Sequence, residues 1–161
     1  MQLDQINALT KEQFIALLGG IFEHSPWVAE RAWPERPFTS VSHLSDRMNA
    51  VVRAASRNEQ LALLRAHPDL GTRAQVSQSS ANEQAGAGLN QLTQTEYDNL
   101  LNLNSAYRAK FGFPFLCAVK GSGKAAILEA LRTRSNSAPE LEFEEALQQV
   151  FRIARFRLED L

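Results

Sequence analysis

A single cysteine, Cys117, stands among the 161 residues. That excludes an internal disulfide and a cysteine-based zinc site, and it fits a reducing compartment. An excess of one charge is also missing: 17 Lys and Arg face 18 Asp and Glu, for a formal net charge of -1. No basic surplus marks a nucleic-acid or anionic-membrane surface. Long apolar runs are absent too; none approaches the roughly 20 residues of a membrane-spanning helix. The opening MQLDQINALTKEQF lacks the basic region and apolar run of a secretory signal, and the closing EDL is neither a peroxisomal nor an endoplasmic-reticulum tail. The expectation is a soluble cytoplasmic protein that engages neither nucleic acid nor membrane. No repeat or low-complexity linker divides the chain, and its length suits a single domain over residues 1–161 with a sizeable core.

What is present is helical period almost throughout. Thr10 and Gln13 have capping-box spacing ahead of Phe14, Leu17 and Leu18. Ser25-Pro26 reads as a cap with proline at the first helical position, and Pro34 and Pro37 end that run. From about Ser42, Leu44, Met48 and Val51 or Val52 share a face; Asn58 to Arg65 forms a further helix ending near Ala66. Residues 71–79 are polar and aperiodic, a loop. Ser80 with Glu83, and Thr93 with Glu96, then have the spacing of capping boxes, the second opening a helix to about Lys110. FGFPFLCAV at 111–119 is rich in aromatic and β-branched residues around a central proline, and should be extended. Ser122 starts another helix, and Ser137 with Glu140 caps a last one from Pro139 to about Glu159. The fold class expected is all-α: one bundle of about seven to eight helices with one extended connector.

The stretch AHPDLG at 66–71 carries the clearest chemistry. Pro68 disfavours helical geometry at His67, so the imidazole stands on a stiff corner just past a helix. Imidazole is the side chain most readily poised to exchange a proton near neutral pH; the competing reading is a histidine that only caps a helix C-terminus. Two helices also carry a polar group on the wrong face. On the last one, at about 100° per residue, Phe143, Ala146, Leu147, Val150, Phe151, Ile153, Ala154 and Leu158 fill one arc, and Arg157 falls inside it. A guanidinium directed at a core needs a partner, unless it snorkels out at the helix end. On the other, Asn104 sits among Tyr97, Leu100, Leu103, Tyr107 and Phe111, as a buried hydrogen-bond hub would. Glu83 either bonds back to its cap or, at a helix N-terminus, helps to hold a polar ligand beside Gln84.

Other motifs fail. GSGK at 121–124 lacks the earlier glycine and the Ser/Thr of a phosphate loop. His24 and His43 are isolated, no metal-ligand spacing occurs, and Cys117 lies in an apolar segment as packing rather than nucleophile.

Four motifs occur in order: AHPDLG at 66–71, SANEQAGAGL at 80–89, LNSAY followed by KFGFPF at 103–115, and RFRLEDL at 155–161. Together they resemble the 2-oxo-4-hydroxy-4-carboxy-5-ureidoimidazoline (OHCU) decarboxylases of purine catabolism. The resemblance implies an all-α fold, usually a homodimer, without metal or organic cofactor. It implies stereoselective loss of CO2 from OHCU to give (S)-allantoin. It further implies His67 as proton donor and Glu83 and Arg157 as catalytic partners, with Arg155 the alternative to Arg157. Substrate would be bound by Pro68, Ser80, Glu83, Gln84, Arg157 and the segment Phe115, Leu116, Cys117, Ala118 and Val119, partly through backbone groups. Two other readings stand beside it: a non-enzymatic helical binding module that uses Phe156 and Trp27 or Trp33, and a lyase or hydrolase acting on a related ureide.

Overall fold

The helical period becomes nine α-helices and one short 3-10 turn among the described residues, with no strand. A computed structural model of the chain describes residues 1–71 and 77–161. The loop expected over 71–79 lies mostly outside the described residues. In chain order the helices are α1 (Leu3–Asn7), α2 (Lys11–Leu18), α3 (Trp27–Ala32), α4 (Val41–Ala54), α5 (Arg57–Ala66), α6 (Gln78–Gly86), α7 (Gln94–Phe111), α8 (Lys124–Arg134) and α9 (Pro139–Glu159). The ninth, unexpected element is α1. Its five residues are too few to show a period, but Gln5 Oε1 accepts from the Gln2 N–H at 3.0 Å and closes its first turn.

The capping boxes at Thr10 and Thr93 form as their spacing predicts. The one placed at Ser80 does not. Ser77 is the cap of α6, its hydroxyl accepting from the Ser80 N–H at 3.1 Å, so the helix begins nearly a turn earlier. Serines at 77 and 80 both have the right chemistry for a cap, and the chain uses Ser77. Glu83 is therefore well inside α6, beyond the first turn in which the exposed N–H groups of a helix attract polar ligands. Likewise α8 is capped at Gly123 rather than Ser122, and α9 starts at Pro139, so Ser137 lies one residue outside the cap position.

The chain forms two compact units. One comprises Met1–Ala66 and Phe151–Leu161. In it α3 packs on α2 and α4, Phe14 and Phe38 stack at 5.9 Å between centroids, and Asn7 clamps Phe38 by bonds to both its backbone N–H and C=O. Trp27 lies under the Arg31 guanidinium and Trp33 under that of Arg36. Trp27, Trp33 and Phe156 are all half-buried, so the rings that a binding module would present are largely taken up by the chain itself.

The other unit is His67–Val150. Here α7 packs on α8, and Lys124 Nζ reaches Glu96 at 2.9 Å, which accounts for the lysine of the failed phosphate-loop motif. Gly112, in the left-handed region at φ 81°, stops α7 and turns the chain into the connector. The connector is non-helical as expected, and is pinned by rings: Tyr107 lies 5.4 Å from Phe115 and 6.0 Å from Phe113, which in turn meets Phe143 at 6.0 Å.

Candidate active site

The corner that follows α5 is built as Pro68 requires. Helix ends at Ala66, and His67 is only 5% exposed. Three side chains from α6 and α7 fasten the residues behind it. Gln84 Oε1 accepts from the Gly71 N–H at 2.8 Å. Asn104 Nδ2 donates to the Leu70 carbonyl at 3.0 Å. Arg108 pairs with Asp69 at 3.3 Å. The first two satisfy buried backbone groups that the sharp turn would otherwise strand, while the Arg108–Asp69 pair lies at the surface. Asn104 is thus the buried hub expected, and its Oδ1 has no partner among the described residues.

Gly71 completes the corner at φ +71°, and a Cβ there would lie 2.3 Å from Leu100 Cδ2. Both the backbone conformation and the contact call for glycine. Gly71→Ala is expected to destabilise the protein by about 1–3 kcal/mol, read as a lower urea midpoint with unchanged slope. An unaltered midpoint would show that the corner tolerates a side chain.

On α6, Ser80 and Gln84 are four residues apart, so they share a face, and both are buried, as is Ala87 at the cap just past the helix; Glu83 flanks them half-buried. The structure thereby joins the second motif to the first through Gln84. In the connector, Phe115, Leu116, Ala118 and Val119 are buried and Cys117 is half-buried. Two of its backbone groups are held by side chains: the Leu116 carbonyl by Arg134, and the Ala118 N–H by Gln149 Oε1 at 2.9 Å. His67, Pro68, Ser80, Glu83, Gln84 and the connector all belong to the same unit.

Arg157 belongs to the other unit. It does not snorkel. Its Nη2 pairs with Glu23 at 2.9 Å, and its Nη1 donates to the carbonyls of Gly20 and Ile21 at 3.3 and 3.4 Å, with both charged side chains over nine-tenths buried. The partner demanded by a core-facing guanidinium is thus the loop between α2 and α3. Arg155 differs: it pairs with Glu159 at 2.7 Å along the surface of α9 and donates to Ser42 Oγ at 2.9 Å. Among the described residues, no group of three or more His, Cys, Asp or Glu is placed to hold a metal ion, and no helix is long and apolar enough to cross a membrane.

Sequence reasoning missed Glu23, Arg134, Glu142 and Gln149. Glu142 and Gln149 fall just beyond the edge of the apolar arc of α9, yet both are buried. A polar residue at such an edge, facing an element rich in backbone groups, is the signal that was there to be read.

The model of the OHCU decarboxylase family matches residues 7–159. A 2-oxo-4-hydroxy-4-carboxy-5-ureidoimidazoline decarboxylase of Haloferax volcanii is 46% identical over 158 residues, covering 98% of this chain and 94% of the relative. A uric acid degradation bifunctional protein of Bacillus sp. (strain TB-90) is 45% identical over 161 residues, covering 100% of this chain; the chain spans 32% of that relative's length. Among solved structures, that of (S)-allantoin synthase has a TM-score of 0.79 at 34% identity, covering 99% of this chain and 54% of that one. Because the match runs through both compact units and includes relatives of similar length, the chain belongs to the OHCU decarboxylase family.

Proposed function

We propose that this chain catalyses the decarboxylation of OHCU to (S)-allantoin, without a cofactor, as the last step from urate to allantoin. The observation that carries the reading is the buried His67 on a corner braced by Gln84, Asn104 and Arg108. As CO2 leaves, the bonding pair stays on the ring carbon and delocalises into the neighbouring imine and carbonyl. The bond breaks best with the carboxylate out of the ring plane, where a rigid imidazole holds it. His67 then delivers a proton to one face of the adjacent ureido-bearing carbon, while the hydroxyl on the carbon that lost CO2 becomes the ring carbonyl and its proton passes to the former imine nitrogen. General acid help of this kind is worth about 10²–10⁴-fold. Glu83 accepts from ring or ureido N–H groups. Ser80, Gln84, Pro68 and the segment Phe115 to Val119 bind the flat, amide-rich molecule. Arg157 is assigned a carbonyl or ureido oxygen, on the strength of its motif and of the planar donor fork of a guanidinium.

The test uses freshly generated OHCU followed by circular dichroism. An enzyme yields one enantiomer of allantoin, in the presence of a chelator as in its absence. Decay at the spontaneous rate to a racemate would refute the assignment and favour the binding module. Allantoin-free turnover of another ureide in a substrate panel would favour a different lyase or hydrolase. We further propose a homodimer working in the cytoplasm, on the resemblance of the motifs. Sedimentation at the mass of a single chain would overturn the dimer.

A further inference from the structure

Behind the connector lies a polar cluster that the proposed chemistry does not use. Arg134, at the end of α8, pairs with Glu142 of α9, its Nε donating to Oε1 at 2.8 Å. The carboxylate of Glu142 is 1% exposed. The buried Tyr107 of α7 donates its hydroxyl to the same oxygen, and burial pushes that phenol far above its ordinary range, so it stays a donor at every working pH. The same guanidinium lies over the Phe115 ring, 4.5 Å from its centroid, and donates through Nη1 to the Leu116 carbonyl. Seven residues after Glu142, and so on the same face of α9, Gln149 accepts from the Ala118 N–H at 2.9 Å. Its own amide is oriented by Glu145, which accepts from Nε2 at 2.8 Å.

Burial of the connector does not require this charge. Phe113 and Phe115 already sit among Tyr107 and Phe143, and a buried ion pair is often no more stabilising than apolar residues of the same volume. What the cluster adds is orientation. A carbonyl held at 116 and an N–H held at 118 fix the rotation of the peptide planes between them, where apolar packing alone would leave it loose.

We propose that Arg134, Glu142 and Gln149 are positioning residues for the decarboxylation: they set the connector's backbone so that it meets the planar ureidoimidazoline in one orientation. The proposal rests on the reading of Phe115 to Val119 as a substrate-binding segment. Gln149→Met keeps length and volume but removes the acceptor for the Ala118 N–H. Arg134→Lys keeps the buried charge but cannot hold Glu142 and the Leu116 carbonyl together as the fork does.

Each variant is assayed for folding by thermal melting, for kcat and KM with OHCU, and for the enantiomeric purity of the allantoin formed. Both are expected to melt cooperatively and to lose about 100-fold in kcat/KM, chiefly through KM, the scale of a small misplacement of substrate. The product of each should be less enantiomerically pure than that of the parent. Folded variants with the parent's KM and optical purity would overturn the positioning role and leave the cluster as scaffold. Should Gln149→Met fail to fold, Arg134→Lys carries the same comparison. Failure of the parent protein to form one enantiomer would instead strike at the function itself, so the two failures are distinct.

Discussion

His67→Asn is expected to leave the fold intact and to remove most of the acceleration of CO2 loss, by about 10²–10⁴-fold. Asparagine is close in size to histidine near the backbone and can occupy a non-helical corner before Pro68. The corner is also fastened at Asp69, Leu70 and Gly71, which supports an intact fold in the variant. What asparagine lacks is a group that takes up and releases a proton near neutral pH. The measurement is the rate of OHCU disappearance with the enantiomeric excess of allantoin at completion. Residual turnover should be both slow and poorly selective, since placing the proton on one face is the task assigned to the ring. Turnover within a few-fold of the parent, with selectivity retained, would remove His67 from the chemistry.

The second large effect concerns Arg157. Arg157→Met should cost about 3–5 kcal/mol, because it removes the guanidinium that lies 2.9 Å from the buried Glu23 carboxylate, whose other oxygen lies 3.5 Å from the exposed His24 imidazole. That is a large share of the stability of an ordinary domain. Pairing it with Glu23→Gln should recover most of the loss, since an uncharged amide no longer demands the cation. The double variant separates two roles that the single one confounds. If it is stable but inactive, the guanidinium serves substrate as well as fold. If it is stable and fully active, Arg157 serves the fold alone. A single Arg157→Met protein as stable as its parent would contradict the buried pair altogether.

How much of this was legible depended on how far apart in sequence the interacting groups lie. Thr10 with Gln13, Thr93 with Glu96, and the extent of α9 from Pro139 to Glu159 are set within one or two turns, and a pattern of spacing is enough to find them. Ser77 against Ser80 shows the limit even there, because two equally suited caps three residues apart differ only in how the intervening turn packs. The need for a partner at Arg157 could be read from the apolar arc on which it sits. Its identity could not, because Glu23 is 134 residues away and nothing local marks a glutamate after Ile21 and Phe22 as buried. Asn104 tells the same story: its place among apolar residues marks a hub, while its partner, a backbone carbonyl at Leu70, has no side-chain signature at all.

One helix ties two parts of the proposed site together. Asn104, Tyr107 and Arg108 sit within five residues of α7; the first and last hold the histidine corner, and the middle one enters the cluster behind the connector. A rod with about 100° of rotation per residue thus serves as a common ruler for both. An insertion between Asn104 and Tyr107 would part the two fastenings of the histidine corner from each other and turn Tyr107 away from the face that Asn104 keeps, so a single added residue there is expected to disturb both parts of the proposed site at once.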